Sequence, residues 1–533
     1  MKKLIYYLTL SACLFNFTSC SDFLEEHPSS EFARDQFFKN RDDAFASINI
    51  LYRKGRLGLM NPSPYLGSQY LYMTGYRSGL IDNPVGRGNN ECISHFQTLS
   101  INPISDNNDI VSSWSAPYEA IVRNANYALE NLPTCPGLTD VERKQLIGEA
   151  SFFRAFNYFY LVQTWGPIPI ILNSYQSVND IYVQRSSEKL VYEQILKDLK
   201  VALDADLPDK PMPENNFRVS RGSVLALAAD VCLCMAGYPV NDVSKYAEAY
   251  TYAKELINNP NYALIQNGGD ISDSKNWNKS AFNTIRTSDN EKEYLYVFEY
   301  DATITPGGNK PTWCLPFEAG AWGFKYDLYM NCWQPTEALL AAYDPDDDLR
   351  YQEHQWFHSS YTTSDGVKHE FQNRLPYFWW EEKALLQTAI SEKDYNLYRL
   401  SEMYLIAAEA LMQLDESKQD EAAGYLATIK ARASIHKDYA TIKKELLALS
   451  KEDFLNEVLR EKIRETMFEF KIWGDVLRTQ KYPILDASGH FTFVPLVGTT
   501  NPFGAVFTVD NLYIPYPDQV IQRNPLMKEE ILQ

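Results

Sequence analysis

Two stretches of the chain gather the residue types that hold a polyhydroxylated ring. Tyr and Trp offer flat apolar faces on which axial C–H bonds can stack, while Asp, Asn, Arg and Gln bond the hydroxyls around the rim. The first stretch carries Tyr76, Arg77, Asp82 and Asn83, and the second carries Trp277, Trp313, Trp322, Trp333 and Trp356. We expect a binding site in which Tyr76, Arg77, Asp82 and Asn83 face Trp277, Trp313 and Trp322. Tyr70 and Tyr72 are read as fastening the first loop to its support. Trp114, Trp165 and Trp473 lie in helical motifs and are expected in the core, and one of Trp379 and Trp380 is expected to be buried in a strand.

Other chemistry finds little footing. The chain has no Gly-x-Ser-x-Gly elbow, His-Glu-x-x-His, Cys-x-x-Cys pair or Gly-x-Gly-x-x-Gly fingerprint, so no catalytic residue is assigned and no enzyme is expected. With 69 acidic residues a glycosidase pair about 5 to 10 Å apart could exist, which keeps a surface hydrolase as a minor reading. His354 and His358 would share one side of a helix as metal ligands do, but in a loop or strand they are ordinary histidines, the preferred reading. "YDPDDDLR", Tyr343 to Arg350, lacks the glycine and distal glutamate of a calcium loop and reads as a turn. Neither metal nor cofactor is expected.

Hydrophobic residues make up 45% of the 533 positions and charged ones 22%, the balance of a globular chain with a large core. A formal charge of −19 disfavours nucleic acid and anionic lipid as partners, since both need a positive footprint. The N-terminus pairs Lys2 and Lys3 with an apolar run, Leu4 to Phe17, shorter than a membrane span, and then Thr18-Ser19-Cys20. That order resembles a bacterial lipobox, with Phe17 where Leu is usual. Residues 1–19 are therefore expected to be a signal peptide and Cys20 a lipid anchor. The cysteines Cys92, Cys135, Cys232, Cys234, Cys314 and Cys332 are irregularly spaced and read mostly as small buried residues, with a Cys314–Cys332 disulfide left open.

The elements that must position these side chains are helical. In "YRLSEMYLIAAEALMQL" the residues Leu400, Met403, Ala407, Ala410, Leu411 and Leu414 fall on one face, and "QDEAAGYLATIKARA" repeats the period after a polar turn. Residues 117–132 with 140–164, and 220–236 with 243–258, give the same two-helix outline. Their unequal spacing rules out a simple tandem array. Helical periodicity fades between about 60 and 110 and again between about 265 and 392, where loops on a rigid support are expected to carry binding residues. "HFTFVPLVG" and "FGAVFTVDNLYIPYP" alternate like short strands.

"GEASFFRAFNYFYLVQTWGPIPII" (Gly148 to Ile171), "RVSRGSVLALAADVCLCMAGYP", "YRLSEMYLIAAEALMQL" and the tail "LYIPYPDQVIQRNPLM" together resemble the SusD/RagB family of surface lipoproteins, in order and over nearly the whole chain. "EKIRETMFEFKIWGDVLRTQ" fits with departures at Lys462, Phe470 and Ile472, within what resembles a structural ion-pair network. The resemblance implies a mainly α fold. One domain over 20–533 would have four tetratricopeptide-like pairs (scaffold helices about 35–58, 109–260 and 393–480), loop-rich insertions on the ligand side and a few short strands. It also implies an outer-membrane, cell-surface protein that binds glycan and hands it to a SusC-like TonB-dependent transporter. The alternative is a subunit that assembles with or gates the transporter and binds no sugar.

Overall fold

A computed structural model describes residues 37–54, 75–83, 91–104, 107–301, 303, 310–325, 333–469 and 471–533. Helices dominate: α1 (Arg41–Lys54), α2 (Glu91–Thr98), α3 (Asn107–Glu119), α4 (Asp140–Trp165), α5 (Glu188–Leu203), α6 (Arg221–Ala236), α7 (Lys245–Asn258), α8 (Ala281–Thr287), α9 (Leu400–Leu414), α10 (Gln419–Ala433), α11 (Tyr439–Leu447), α12 (Lys451–Thr466) and α13 (Ile472–Thr479). The mainly α expectation holds. Helix α2 lies inside the first stretch read as loop, and α1 starts at Arg41, after bends at 37–40 where helix was expected.

Local chemistry sets the helix ends. Thr139 caps α4 in a reciprocal box with Glu142, which satisfies two otherwise orphaned N–H groups. The helix stops at Gly166, whose φ of 70° suits glycine, and a Cβ there would stand 2.9 Å from the Tyr513 ring. Helix α6 is apolar on every side because every side is covered: α5, α7, α13 and strand β2 (Tyr294–Phe298) all pack on it. No helix among the described residues is long and apolar enough to cross a membrane.

The spacing along the chain predicts helix pairs separated by insertions. In space each helix packs on the next, α4 on α5, α5 on α6, α6 on α7, α9 on α10 and α10 on α11, and α7 packs on α9 across the long insertion. The array is therefore continuous, because stacking neighbouring pairs buries faces that one pair alone would leave in water. A separate apolar cluster, including Leu405, Met412, Leu426, Phe454 and Val458, fastens its C-terminal end.

Strands close the insertion. β2 pairs antiparallel with β6 (Tyr395–Arg399), both wholly buried, so the two ends of the excursion between them meet at one ribbon. β1 (Ile81–Asp82) pairs with β3 (Gln334–Pro335), joining the first insertion to the second. β4 (Phe357–Thr362) and β5 (Lys368–Pro376) form a hairpin, as do β7 (Lys481–Leu485) and β8 (Phe491–Pro495). "HFTFVPLVG" thus contains a strand, whereas "FGAVFTVDNLYIPYP" makes only a Thr500–Val506 bridge and a 3₁₀ turn, its prolines removing ladder donors.

A buried ion-pair network ties insertion to array. Arg399 meets Glu293, Glu465 and Glu469, Arg432 meets Glu293 and Glu465, and Arg350 meets Asp348, Glu461 and Glu465. Lys462 reaches Asp475 at 2.7 Å, so the departure from Arg keeps a partner there, while Phe470 lies outside the described residues. Paired this closely, buried charges hold a geometry; losing one member strands the rest.

Candidate functional site

The 3₁₀ turn Phe317–Ala321 delivers Trp322, and Gly323, at φ +83°, lets the chain reverse so that Phe324 follows onto the same surface. Beneath them lies the β4–β5 hairpin. Tyr361 stands opposite His369, and Phe371 lies two residues beyond His369, so the three share one face. The Trp322 indole lies on His369 at 4.1 Å between ring centroids and 19° between planes, and is parallel within 10° to Tyr361 and Phe371. Phe324 leans on Tyr361 at 5.1 Å. All five rings are half-buried, which gives a layered aromatic ledge with one side set in protein.

The ledge rests on buried groups that fix its shape. Trp380 touches Tyr361, Tyr377 and His358, and its indole N–H donates to Glu382 at 3.0 Å. Arg286 of α8 stacks its guanidinium 4.4 Å from the Tyr377 centroid and donates to the Trp380 carbonyl. Burial pushes the His358 imidazole down to about 3, so it is neutral and donates Nε2–H to the Cys314 carbonyl. The Lys325 N–H, just after the ledge, donates to the Leu385 carbonyl. Rings fixed in this way lose little freedom when a flat ligand face meets them.

The expected residues divide. Trp322 belongs to the ledge. Tyr76 is fully buried against Trp333, 5.4 Å between centroids, because β1–β3 pairing brings the first insertion to that tryptophan. Arg77 is buried too: it donates to the carbonyls of Asn511 and Leu512, covers Trp473 at 4.5 Å, and is lowered by desolvation to about 9. Asn83 is buried, and Asp82 accepts from Gln97 at 2.9 Å. Tyr76, Arg77 and Asn83 are therefore buried in packing between segments, and Asp82 lies beside Gln97. Trp277 is half-buried in its own turn, its N–H on the Ile271 carbonyl. Trp313 has its backbone in the turn Lys310–Cys314, and its side chain lies outside the described residues, as do Tyr70, Tyr72 and Cys20.

Trp333 and Trp356 are core, and both Trp379 and Trp380 are buried, one more than expected. The core assignment of Trp114, Trp165 and Trp473 holds. His358 lies in β4 and is buried, while His354 precedes that strand and is exposed, and no metal-holding group of three occurs among the described residues. In "YDPDDDLR", Asp347 accepts from Ser434 and the His436 N–H, and Asp348 grips Arg350, so the acids build a turn. Cys314 is a buried free thiol, not half of a disulfide, and Cys332 lies outside the described residues. Sequence reasoning missed Phe324, Tyr361, His369 and Phe371; the alternation His369-x-Phe371 was the available signal, obscured by the loop-like composition around it.

Residues 264–531 match the family described as "SusD family", and residues 83–233 match one described as "Starch-binding associating with outer membrane". SusD-like protein P2 of Formosa agariphila is 26% identical over 499 residues, covering 90% of this chain and 91% of that protein. A SusD superfamily structure from Parabacteroides distasonis superposes with TM-score 0.78 at 25% identity, covering 92% and 98% of the two chains. Surface glycan-binding protein A from Bacteroides thetaiotaomicron, solved with laminarihexaose, shares the fold at TM-score 0.66 and 17% identity, covering 91% of this chain and 97% of its own. By fold and by a family match over half of its length, the chain belongs to the SusD family.

Proposed function

We propose that this protein binds a glycan at the cell surface, with Trp322, Phe324, Tyr361, His369 and Phe371 as the stacking ledge. The observation that carries this reading is the parallel layering of Trp322 over the hairpin rings, a flat, pre-set apolar surface of the kind a pyranose face requires. Structural neighbours support the ligand class: one is described as glycan-binding and was solved with laminarihexaose, and another was solved with a xylogluco-oligosaccharide. Lys325 and Glu382 lie next to the rings in the chain or by contact and supply polar groups at the rim. The protein performs no chemistry on the sugar; it retains it and passes it to a SusC-like TonB-dependent transporter, held beside that partner by acylated Cys20 at the outer membrane.

Calorimetry of the mature protein against a panel of polysaccharides tests both binding and ligand class. A saturable signal should appear for one class and weaken at least tenfold, about 1.4 kcal/mol, in Trp322→Ala. Full affinity in a folded Trp322→Ala, Tyr361→Ala double variant would remove the ledge. Binding of no glycan, with co-purification of a membrane barrel, would favour the assembly-subunit reading.

A further inference from the structure

Away from the ledge, a cavity of about 500 Å³ opens between α3, the segment after α4 and the C-terminal helix Asp518–Arg523. Its volume falls within the range of small-molecule sites, roughly 300–1,000 Å³. The wall is mostly apolar: Trp114, Tyr118, Val122, Ile171 and Met527 contribute to it. Pro117 sits inside α3, and the chain then widens into a π-helical segment, Ala120–Asn126, which carries Val122 and Arg123 into the lining. Such segments are uncommon and recur at functional sites.

Polar side chains in the lining include Glu119, Arg123, Arg523 and Asn524. Asn524 lines it and is 8% exposed; its Nδ2 is tied to the Val183 carbonyl at 2.8 Å, while its Oδ1 is buried with no donor among the described residues. Arg523 and Arg123 also line the cavity, both exposed. Arg123 has a loose partner in Glu119 at 3.8 Å, and Arg523 makes no ion pair among the described residues.

We propose that this cavity binds an amphipathic carboxylate, with its apolar body among Trp114, Tyr118 and Val122 and its anionic end at Arg523 and Arg123. Arg523 and Arg123 outnumber Glu119, the carboxylate in the same lining, in a chain of net charge −19, and they set the sign of the ligand. The site is separate from the glycan ledge and does not depend on it.

The test uses the mature protein and cholate below its micellar concentration, a probe with an apolar body, hydroxyls and one carboxylate, with cholate methyl ester as the uncharged control. Calorimetry should show one saturable site, binding cholate at least tenfold more tightly than the ester. Arg523→Glu, an exposed change that leaves the fold intact, should weaken cholate at least tenfold and leave the ester unchanged. Val122→Trp, which fills the cavity, should abolish both, and Trp322→Ala should alter neither. Absence of saturable cholate binding, equal affinity for acid and ester, or wild-type affinity in Arg523→Glu would each overturn the proposal. Should Val122→Trp fail to fold, the Arg523→Glu and ester comparisons decide it alone.

Discussion

Replacing Glu465 with Gln probes the centre of the ion-pair network. Glu465 Oε1 accepts from Arg399 at 2.8 Å and Arg432 at 2.5 Å, and Oε2 accepts from Arg350 at 3.0 Å. Burial by itself would raise this carboxyl, but the guanidinium groups of Arg432, Arg399 and Arg350 outweigh it and hold the group at about 2, against an ordinary 4.5. At about 1.36 kcal/mol for each unit, the difference corresponds to about 3 kcal/mol of stability at neutral pH. Because the folded group is depressed, that contribution is complete above about pH 4.5 and is lost as the pH falls toward about 2. Glu465→Gln should therefore lower unfolding stability by about 3 kcal/mol at pH 7, and the gap to wild type should narrow by about 2 kcal/mol at about pH 3. Urea titrations of both proteins at the two pH values measure this. A gap under about 1 kcal/mol at neutral pH, or one that does not narrow in acid, would refute the electrostatic account.

Buried groups near the insertions give two more tests. Arg77→Met removes the hydrogen bonds to the carbonyls of Asn511 and Leu512 and should cost about 2–3 kcal/mol, with faster proteolysis near residues 509–516 and unchanged glycan affinity in the folded fraction. Lost affinity at unchanged stability would instead make Arg77 a ligand contact. His358, held near 3 by burial, contributes stability that is complete above about 6.5 and is lost as the pH falls toward 3. Wild type should thus lose about 2 kcal/mol from this residue between about pH 7 and pH 5, and His358→Gln should flatten that slope; parallel stability curves would contradict it.

The helices were legible because their signals are local. The period through Leu400, Met403 and Ala407 and the apolar run of α6 depend on neighbours in the chain. Family motifs added the order of the whole, since several weak matches in sequence constrain one another. The site was legible only as a composition. Both stretches do contain the aromatic and polar residues expected of a ring-binding surface, but Tyr76 and Trp322 look alike in the sequence, and one is buried while the other is half-exposed.

The sequence by itself determined that this chain is mainly helical, acidic, without a recognised catalytic motif, and similar to the SusD/RagB family. Tertiary structure decided which aromatic residues form a surface. β1–β3 pairing drew Tyr76 onto Trp333, and the β4–β5 register set His369 opposite Tyr361 beneath Trp322. The contacts of Tyr76 with Trp333 and of Trp322 with the hairpin join residues far apart in the chain, and no local propensity specifies them. Burial of a ring is a property of everything that packs around it, so it is fixed only when the whole array has closed.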